Sequence, residues 1–242
     1  MIKIENTEVI GWEHAIRGMR NPKNSWGRSD SRYWEESAAY PLDESEIGPN
    51  DHDLMMRLAK GGPVHAKYRR MITVYVDVTA PLYWWKEFDT YKVGTVANSC
   101  STMHKIHAKE FTIDDFSHDH LIDDRGLCWS EDIIAGPESV STPKDILNIT
   151  IDALNGYRER YLVALKTEEE TGLPAKDIWW QMIQLLPSSY NQKRTLMLNY
   201  EVLHNIYISR KNHKLDEWHT FCEWIEKLPY SEIITLKETA EA

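Results

Sequence analysis

The strict alternation of Met71–Thr79, with Ala80–His104 directly after it, constrains the fold more than any other stretch of the chain. In MITVYVDVT, apolar residues occupy every second position, which predicts a half-buried β-strand. Pro81 suits the first turn of a helix, where its missing N–H costs nothing, so a helix is expected from there to near Gly94. The apolar stripe of that helix consists of Trp84, Phe88 and Tyr91.

The segment after this helix, Thr95–Thr102, reads TVANSCST and carries small polar side chains. Its residue types favour a surface connection rich in turn formers. A loop held at a helix end can also grip a small polar ligand, so both interpretations stay open at this point.

Apolar periodicity and capping residues predict most of the remaining elements, beginning with a strand at Ile2–Ile10. Helices are expected at Gly11–Met19, Asp51–Lys60, Pro143–Glu170, Ala175–Leu186, Asn199–Arg210 and Leu215–Lys227. The stripe of the longest helix contains Ile146, Ile149, Ala153, Tyr157, Tyr161 and Leu165. We expect a loop at 20–50, a connector at Ser188–Leu198 and a polar tail at 231–242. No Pro/Gly/Ser-rich linker interrupts the 242 residues, which favours a single domain over 1–242.

Charge and cysteine content limit the partners and the compartment. The net charge of −10 argues against nucleic-acid binding through a generic basic surface. Cys100, Cys128 and Cys222 are odd in number and widely spaced, as expected of free thiols in a reducing cytosol. MIKIENTEVIGW lacks a signal-peptide core and no apolar run approaches membrane-span length, so a cytoplasmic protein without membrane contact is expected. Ten Trp and twelve Tyr suit a subunit interface or a stacking site.

Two further places carry residues with possible chemistry. His104–Asp124 contains an HxxH and an HxH beside several Asp, but their spacing fits no compact metal site, so we expect solvated loop residues and no metal. Asn199 and Arg210 share an otherwise apolar face of their predicted helix and need polar partners. The partner is either a buried carboxylate, or a phosphate or nucleobase of a ligand.

Three blocks, in the same order, resemble the flavin-dependent thymidylate synthases. Asp53–Leu58 with His65 is similar to the family's helix and Gly-His segment. The strand with Ala80–His104 lies without a gap on the family's strand, Ala-Pro helix and signature RHRxxSxNExSxR. The third block runs from Leu186 and Pro187 through Asn199, Asn205, Arg210 and His213. Together the blocks span most of Asp53–Trp218.

This resemblance implies an α/β (α+β) fold with a central β-sheet and long helices, in one thymidylate synthase-like domain. It also implies a cytoplasmic homotetramer with its sites between subunits. In the family, reduced FAD delivers hydride while a methylene group passes from methylenetetrahydrofolate to dUMP. The cofactors implied for this chain are FAD and, where the family reaction is retained, NADPH and methylenetetrahydrofolate. The implied small-molecule partner is a pyrimidine nucleotide such as dUMP.

The family's roles carry over to individual residues of this chain. The flavin side would be formed by His65, Tyr91, Lys92, Asn199, Asn205 and His213. The substrate side would be formed by Glu87, Asn98, Ser99, Cys100, Ser101 and Arg210, with Arg210 and Cys100 as the catalytic candidates. Glu87 stands for a Gln that touches the pyrimidine, and Glu201 stands for a flavin-binding Arg. The three signature arginines are replaced by Thr90, Lys92 and Thr102.

Three interpretations follow. The chain is a thymidylate synthase-like enzyme, an altered pyrimidine-modifying enzyme that uses the thiol of Cys100, or a non-catalytic nucleotide-binding or assembly protein on the same scaffold. A lost charge-assisted hydrogen bond is worth roughly 1.5–3 kcal/mol. We therefore expect flavin and nucleotide to bind more weakly than in the family, and thymidylate synthesis to be slow or absent.

Overall fold

The computed structural model describes residues 2–33, 45–124, 142–167 and 172–237, and confirms helices combined with a central sheet. The strands are β1 Lys3–Ile10, β2 Arg32–Tyr33, β3 Ser45–Glu46, β4 Thr73–Pro81, β5 Val96–Ser99 and β6 Asn191–Asn199. The helices are α1 Trp12–Arg20, α2 Pro49–Lys60, α3 Leu82–Phe88, α4 Thr102–Lys105, α5 Pro143–Ala164, α6 Ala175–Leu185, α7 Tyr200–Arg210, α8 Asp216–Glu226 and α9 Glu232–Thr235. Short 3-10 helices lie at Asn21–Lys23, Trp26–Arg28, Ala66–Met71 and Ile113–Asp115.

The described chain divides into two compact units. Of the described residues, those within 80–86 and 99–192 form the helical unit, and those within 2–79, 87–98 and 193–237 form the sheet unit. The single domain over 1–242 remains a prediction. Within the described ranges, no helix is both long enough and apolar enough to cross a membrane.

The central sheet has the strand order β1–β4–β6–β5, with β1 and β4 antiparallel. The alternation that predicted β4 is confirmed, because Val74, Val76 and Val78 are buried while Tyr75 faces solvent. The predicted connector at Ser188–Leu198 is wrong, since most of it is β6. Only the second half of β6 alternates, with Leu196 and Leu198 fully buried.

The helix after β4 is shorter than predicted at both ends. Pro81 ends the strand, and α3 begins at Leu82. A proline is tolerated there because a strand end does not need its N–H. The helix ends at Phe88, so Tyr91 lies beyond it, and the segment predicted as a loop contains β5.

Asp51, on α2, fixes the first part of the predicted loop 20–50. Its fully buried carboxylate accepts hydrogen bonds from Arg20 Nε at 2.6 Å and from the hydroxyls of Ser29 at 2.6 Å and Ser31 at 2.7 Å. The backbone N–H groups of Asp30 and Ser31 donate to the same carboxylate at 3.1 and 3.2 Å. Burial raises the pKa of Asp51, but the hydrogen bonds outweigh burial and the net pKa is lowered. This part of the loop is therefore held to α2; residues 34–44 lie outside the described ranges.

The core of the helical unit uses a different face of α5 from the predicted stripe. Leu147, Ile151 and Leu154 are buried with Phe116 and Met182, whereas the predicted stripe begins with exposed Ile146 and Ile149. The helix ends at Ala164, and residues 168–170 of the predicted helix lie outside the described ranges. Its outer face is therefore apolar in places as well as its inner face.

Candidate functional site

The carboxylate of Glu87 contacts three residues from separate parts of the sheet unit. Arg210, the last residue of α7, donates from Nη1 to Glu87 Oε2 at 2.9 Å. Trp218 of α8 donates from its indole N–H to the same oxygen at 3.0 Å. His213 Nε2 lies 3.3 Å from it. Leu215 donates its backbone N–H to His213 Nδ1, so the ring faces the carboxylate with Nε2.

Aromatic rings flank the arginine of this group. Arg210 Nε donates to the hydroxyl of Tyr91 at 2.9 Å. Its guanidinium carbon lies 4.8 Å from the ring centre of Trp218 and 5.6 Å from that of Tyr91, which are cation–π distances. We call Glu87, Tyr91, Arg210, His213 and Trp218 the Glu87 cluster.

The contacts within the Glu87 cluster identify the acceptor of Arg210. The side chains of Arg210 and Glu87 are 18% and 34% exposed, so the pair is half-buried. Of the two alternatives from the sequence, the structure shows the internal carboxylate. The structure brings together four of the site candidates from the sequence, Glu87, Tyr91, Arg210 and His213. Trp218 was not among those candidates, and its only signal was a tryptophan within a predicted helix.

The sequence predicted Asn199 on the apolar face of its helix, but in the structure Asn199 caps the N-terminus of α7. Its Oδ1 accepts the backbone N–H groups of Glu201 and Val202, both at 3.1 Å. The residue precedes the first helical turn, where a side-chain acceptor satisfies free N–H groups. Gly94 has φ of 79°, and a Cβ there would lie 3.0 Å from Asn199 Nδ2, so the chain passes very close to this cap.

Glu201 is buried in an internal ion pair. Arg69, whose side chain is 1% exposed, donates from Nε to Glu201 Oε2 at 2.7 Å. Arg69 also donates to the carbonyl oxygen of Ile233 at 3.1 Å. Both partners have structural contacts, and the arginine is not available to a ligand at the surface.

A large cleft of the sheet unit lies beside His65. Its volume is about 1430 Å³. It is lined by residues 18–30 without Trp26, by parts of α2, and by Val64, His65, Lys67, Tyr68 and Met71. The cationic residues of the lining are Arg20, Lys23, Arg28, Arg57 and Lys67, with Asp30 and Asp53 as its acids. Arg20 is paired with Asp51, and Asp53 with Arg57. We call this the His65 cleft; its cations stand out in a chain of net charge −10.

The other predicted site residues do not join the Glu87 cluster through any contact that the structure shows. Lys92, Asn98 and Asn205 are exposed in the sheet unit. Ser99, Cys100 and Ser101 are exposed in the helical unit. There, Gln192 donates to the carbonyl oxygen of Cys100 at 3.1 Å, and Ser101 Oγ caps α4.

Within the described ranges, no group of three or more His, Cys, Asp or Glu could hold a metal ion. Cys100 and Cys222 are free thiols, and burial raises the pKa of Cys222 to about 11. Cys128 lies outside the described residues.

No protein-family model and no curated protein matches this chain. Among solved structures, the chain is similar to thymidylate synthase X (ThyX) from Helicobacter pylori, in two structures with FAD and dUMP, at TM-scores of 0.59 and 0.58 and 13% identity. Each match covers 96% of both chains. At this identity the likeness establishes the fold, which is that of the flavin-dependent thymidylate synthases.

A second kind of protein shares this fold. The UMP/dUMP methylase PolB from Streptomyces cacaoi, bound with 5-Br dUMP, matches at a TM-score of 0.53 and 16% identity. That match covers 98% of this chain and 95% of PolB. The resemblance seen in the sequence is therefore confirmed at the level of the fold.

Proposed function

We propose that this chain binds a pyrimidine nucleoside monophosphate and modifies its base, as a thymidylate synthase-like methyltransferase. The likeness of fold to proteins crystallised with dUMP or 5-Br dUMP, over at least 95% of every chain compared, carries the proposal. The Glu87 cluster supports it, because its partly exposed members, the ring of Tyr91 and the charges of Glu87 and Arg210, suit a nucleobase better than an aliphatic substrate.

In this proposal the residues of the Glu87 cluster bind and orient the nucleotide. Arg210 holds Glu87 in one position, and the partly exposed ring of Tyr91 provides a planar surface for a base, while the buried Trp218 supports the cluster. The role of Arg210 as a catalytic candidate is thereby reduced to positioning, since its donors point to Glu87 and Tyr91. Asn98, Ser99 and Ser101 remain proposed substrate contacts.

The residues carried over from the family fit the phosphates of FAD poorly. Glu201 is an acid where the family has a cation, and its partner Arg69 is buried. The carboxamide oxygen of Asn199 is already used by the helix cap. Lys92, an exposed point charge, lacks the planar fork with which Arg binds phosphate. No cationic cradle follows from these positions.

The His65 cleft fits the phosphates better. Lys23, Arg28 and Lys67 line it together with Arg57, and its acid Asp30 accepts the N–H groups of Asn50 and Asp51 at 2.9 and 3.1 Å. We therefore propose that FAD, if this chain retains the family's cofactor, places its phosphates there, with His65 beside it. Bound flavin would supply hydride to the family's reaction, in which NADPH and methylenetetrahydrofolate are the other reactants.

Titration calorimetry with CMP, dCMP, UMP and dUMP tests the nucleotide proposal. We expect at least one of them to bind with a dissociation constant in the micromolar range. Failure of all four to bind at millimolar concentration, for a protein with a cooperative melting transition, would refute it. Rescue of a thymidine-requiring bacterial strain would show that the chain also forms thymidylate and does not only bind the nucleotide.

Reconstitution with FAD tests the cofactor proposal. Lys67→Glu should lower the bound flavin, measured from its absorption spectrum, whereas Lys60→Glu is the matched control. Lys60 ends α2 and does not line the cleft. Equal flavin content in the two variants would exclude the cleft as the phosphate site.

Two alternatives are each favoured by one observation. The exposed thiol of Cys100 favours an altered pyrimidine-modifying enzyme in which the thiolate adds to C6 of the base. The internal pairs of Arg69 and Arg210 favour a non-catalytic nucleotide-binding protein. Turnover by Cys100→Ser at the wild-type rate would exclude the first, and any turnover would exclude the second.

We also propose self-association, with the homotetramer of the resemblance as the expected state. The helical unit exposes several large apolar side chains on α5 and α6. They are Ile146, Ile149, Trp180 and Leu185, each at least 40% exposed. Such a face suits a subunit interface. Light scattering that shows a stable monomer at micromolar concentration would refute this.

A further inference from the structure

The two oxygens of the Glu87 carboxylate have different surroundings. Oε2 accepts from Arg210 and Trp218 and lies 3.3 Å from His213 Nε2, and these three contacts hold the carboxylate in place. Within the described part of the chain, no hydrogen bond to Oε1 is found. Because the side chain is 34% exposed, Oε1 is accessible as a fixed hydrogen-bond acceptor.

This acceptor selects which end of a nucleotide can lie against the Glu87 cluster. A carboxylate oxygen repels a phosphate group, so the phosphate end is disfavoured. The base end is neutral, carries N–H donors and is planar, which suits the neighbouring, partly exposed ring of Tyr91. If the chain binds a pyrimidine nucleotide, as proposed above, the base is the part that faces Glu87.

Pyrimidine bases differ in what they offer such an acceptor. An ionised carboxylate only accepts hydrogen bonds. Cytosine presents an exocyclic amino group, the group for which Glu and Asp are the usual acceptors. Uracil presents oxygen at the same ring position, and its single N–H lies between two carbonyl oxygens that repel a carboxylate. On this chemistry, and resting on the proposed function, we infer that Glu87 makes a cytosine nucleotide, not a uracil nucleotide, the preferred ligand.

The isosteric amide reverses this chemistry. In Glu87→Gln the remaining carbonyl oxygen still accepts from Arg210 and Trp218, which leaves the amide N–H₂ at the position of Oε1. That group donates, and therefore matches the O4 oxygen of uracil instead of the amino group of cytosine.

Titration calorimetry with dCMP and dUMP, on the wild type and on Glu87→Gln, tests the inference. The wild type should bind dCMP at least about tenfold more tightly than dUMP, and Glu87→Gln should reduce or reverse that ratio. A melting curve checks that the variant is folded.

Asp89→Asn is the matched control, since it removes the same charge nearby and affects only an exposed ion pair with Arg194. A general charge effect would tighten both nucleotides in both variants and leave the ratio unchanged. Equal affinity, or a preference for dUMP in the wild type, would overturn the inference while nucleotide binding stands. Binding of neither nucleotide would overturn the proposed function and this inference together.

Discussion

Replacement of Asp51 by Asn tests whether one buried carboxylate holds residues 20–31 to α2. The carboxylate has 0% exposed surface and pairs with Arg20, whose side chain is 5% exposed. Removal of one partner from a buried pair costs roughly 3–5 kcal/mol, because the other charge stays buried without compensation. At about 2–4 °C per kcal/mol for a chain of this size, the melting temperature should fall by roughly 6–20 °C.

Asp53→Asn, two positions further along α2, is the control. Asp53 also pairs with an arginine, Arg57, at 2.9 Å, but their side chains are 66% and 68% exposed. Exposed pairs contribute only about 0.2–1 kcal/mol, so this variant should melt close to the wild type. Urea unfolding that places Asp51→Asn within about 1 kcal/mol of the wild type would refute the reasoning.

The pH dependence of stability, compared between the wild type and Asp51→Asn, gives a second test. The folded-state pKa of Asp51 is lowered from its ordinary value of 3.8. A lowered pKa stabilises the fold fully above the ordinary value and loses that stabilisation as pH falls through the folded-state value. The difference in unfolding free energy between wild type and Asp51→Asn should therefore be constant near neutral pH and shrink below pH 3.8. A difference that grows on acidification would contradict the assigned sign.

Three further substitutions test other contacts, each by urea unfolding. Arg210→Ala should cost about 1–3 kcal/mol, less than in a fully buried pair because Glu87 is 34% exposed, and no loss would show that the pair is not formed. Asn199→Ala should cost about 1 kcal/mol through the lost cap, whereas Asn199→Asp keeps an acceptor and should match the wild type. Gly94→Ala should cost about 1–2 kcal/mol, because φ is 79° and the new Cβ would crowd Asn199; unchanged stability would contradict both arguments.

The elements that the sequence predicted correctly are those with a strong local signal. The prediction of β4 from its alternation, and of α2 and α6 from the residues that begin and end them, needed no information from distant residues. β6 was missed because its first half, NQKR, is polar and only Leu196 and Leu198 alternate into the core. Its identity as a strand depends on its place in the sheet, which a local pattern does not carry.

The sequence named four residues of the Glu87 cluster as site candidates but did not predict the contacts between them. The sequence indicated that Arg210 needs an acceptor, but Glu87 is 123 positions away and nothing local identifies it. The pair of Arg69 and Glu201, separated by 132 positions, was not foreseen for the same reason. Asn199 was misplaced by one residue, which separates a helix face from a helix cap.

Compared with the thymidylate synthase signature, this chain has its positively charged side chains at other positions and has not simply lost them. Two arginines that could bind phosphate, Arg69 and Arg210, instead pair with Glu201 and Glu87. The resemblance places those two acids where the family has an Arg and a Gln. Each acid therefore changes the group that is offered to a ligand and also pairs with a nearby arginine. Cations that line a cavity occur in the His65 cleft. Cofactor phosphates and substrate base would then depend on different residues, so that Lys67→Glu lowers flavin binding without changing the ratio of dCMP to dUMP affinity. A change in that ratio would show that the cleft and the Glu87 cluster act on one ligand.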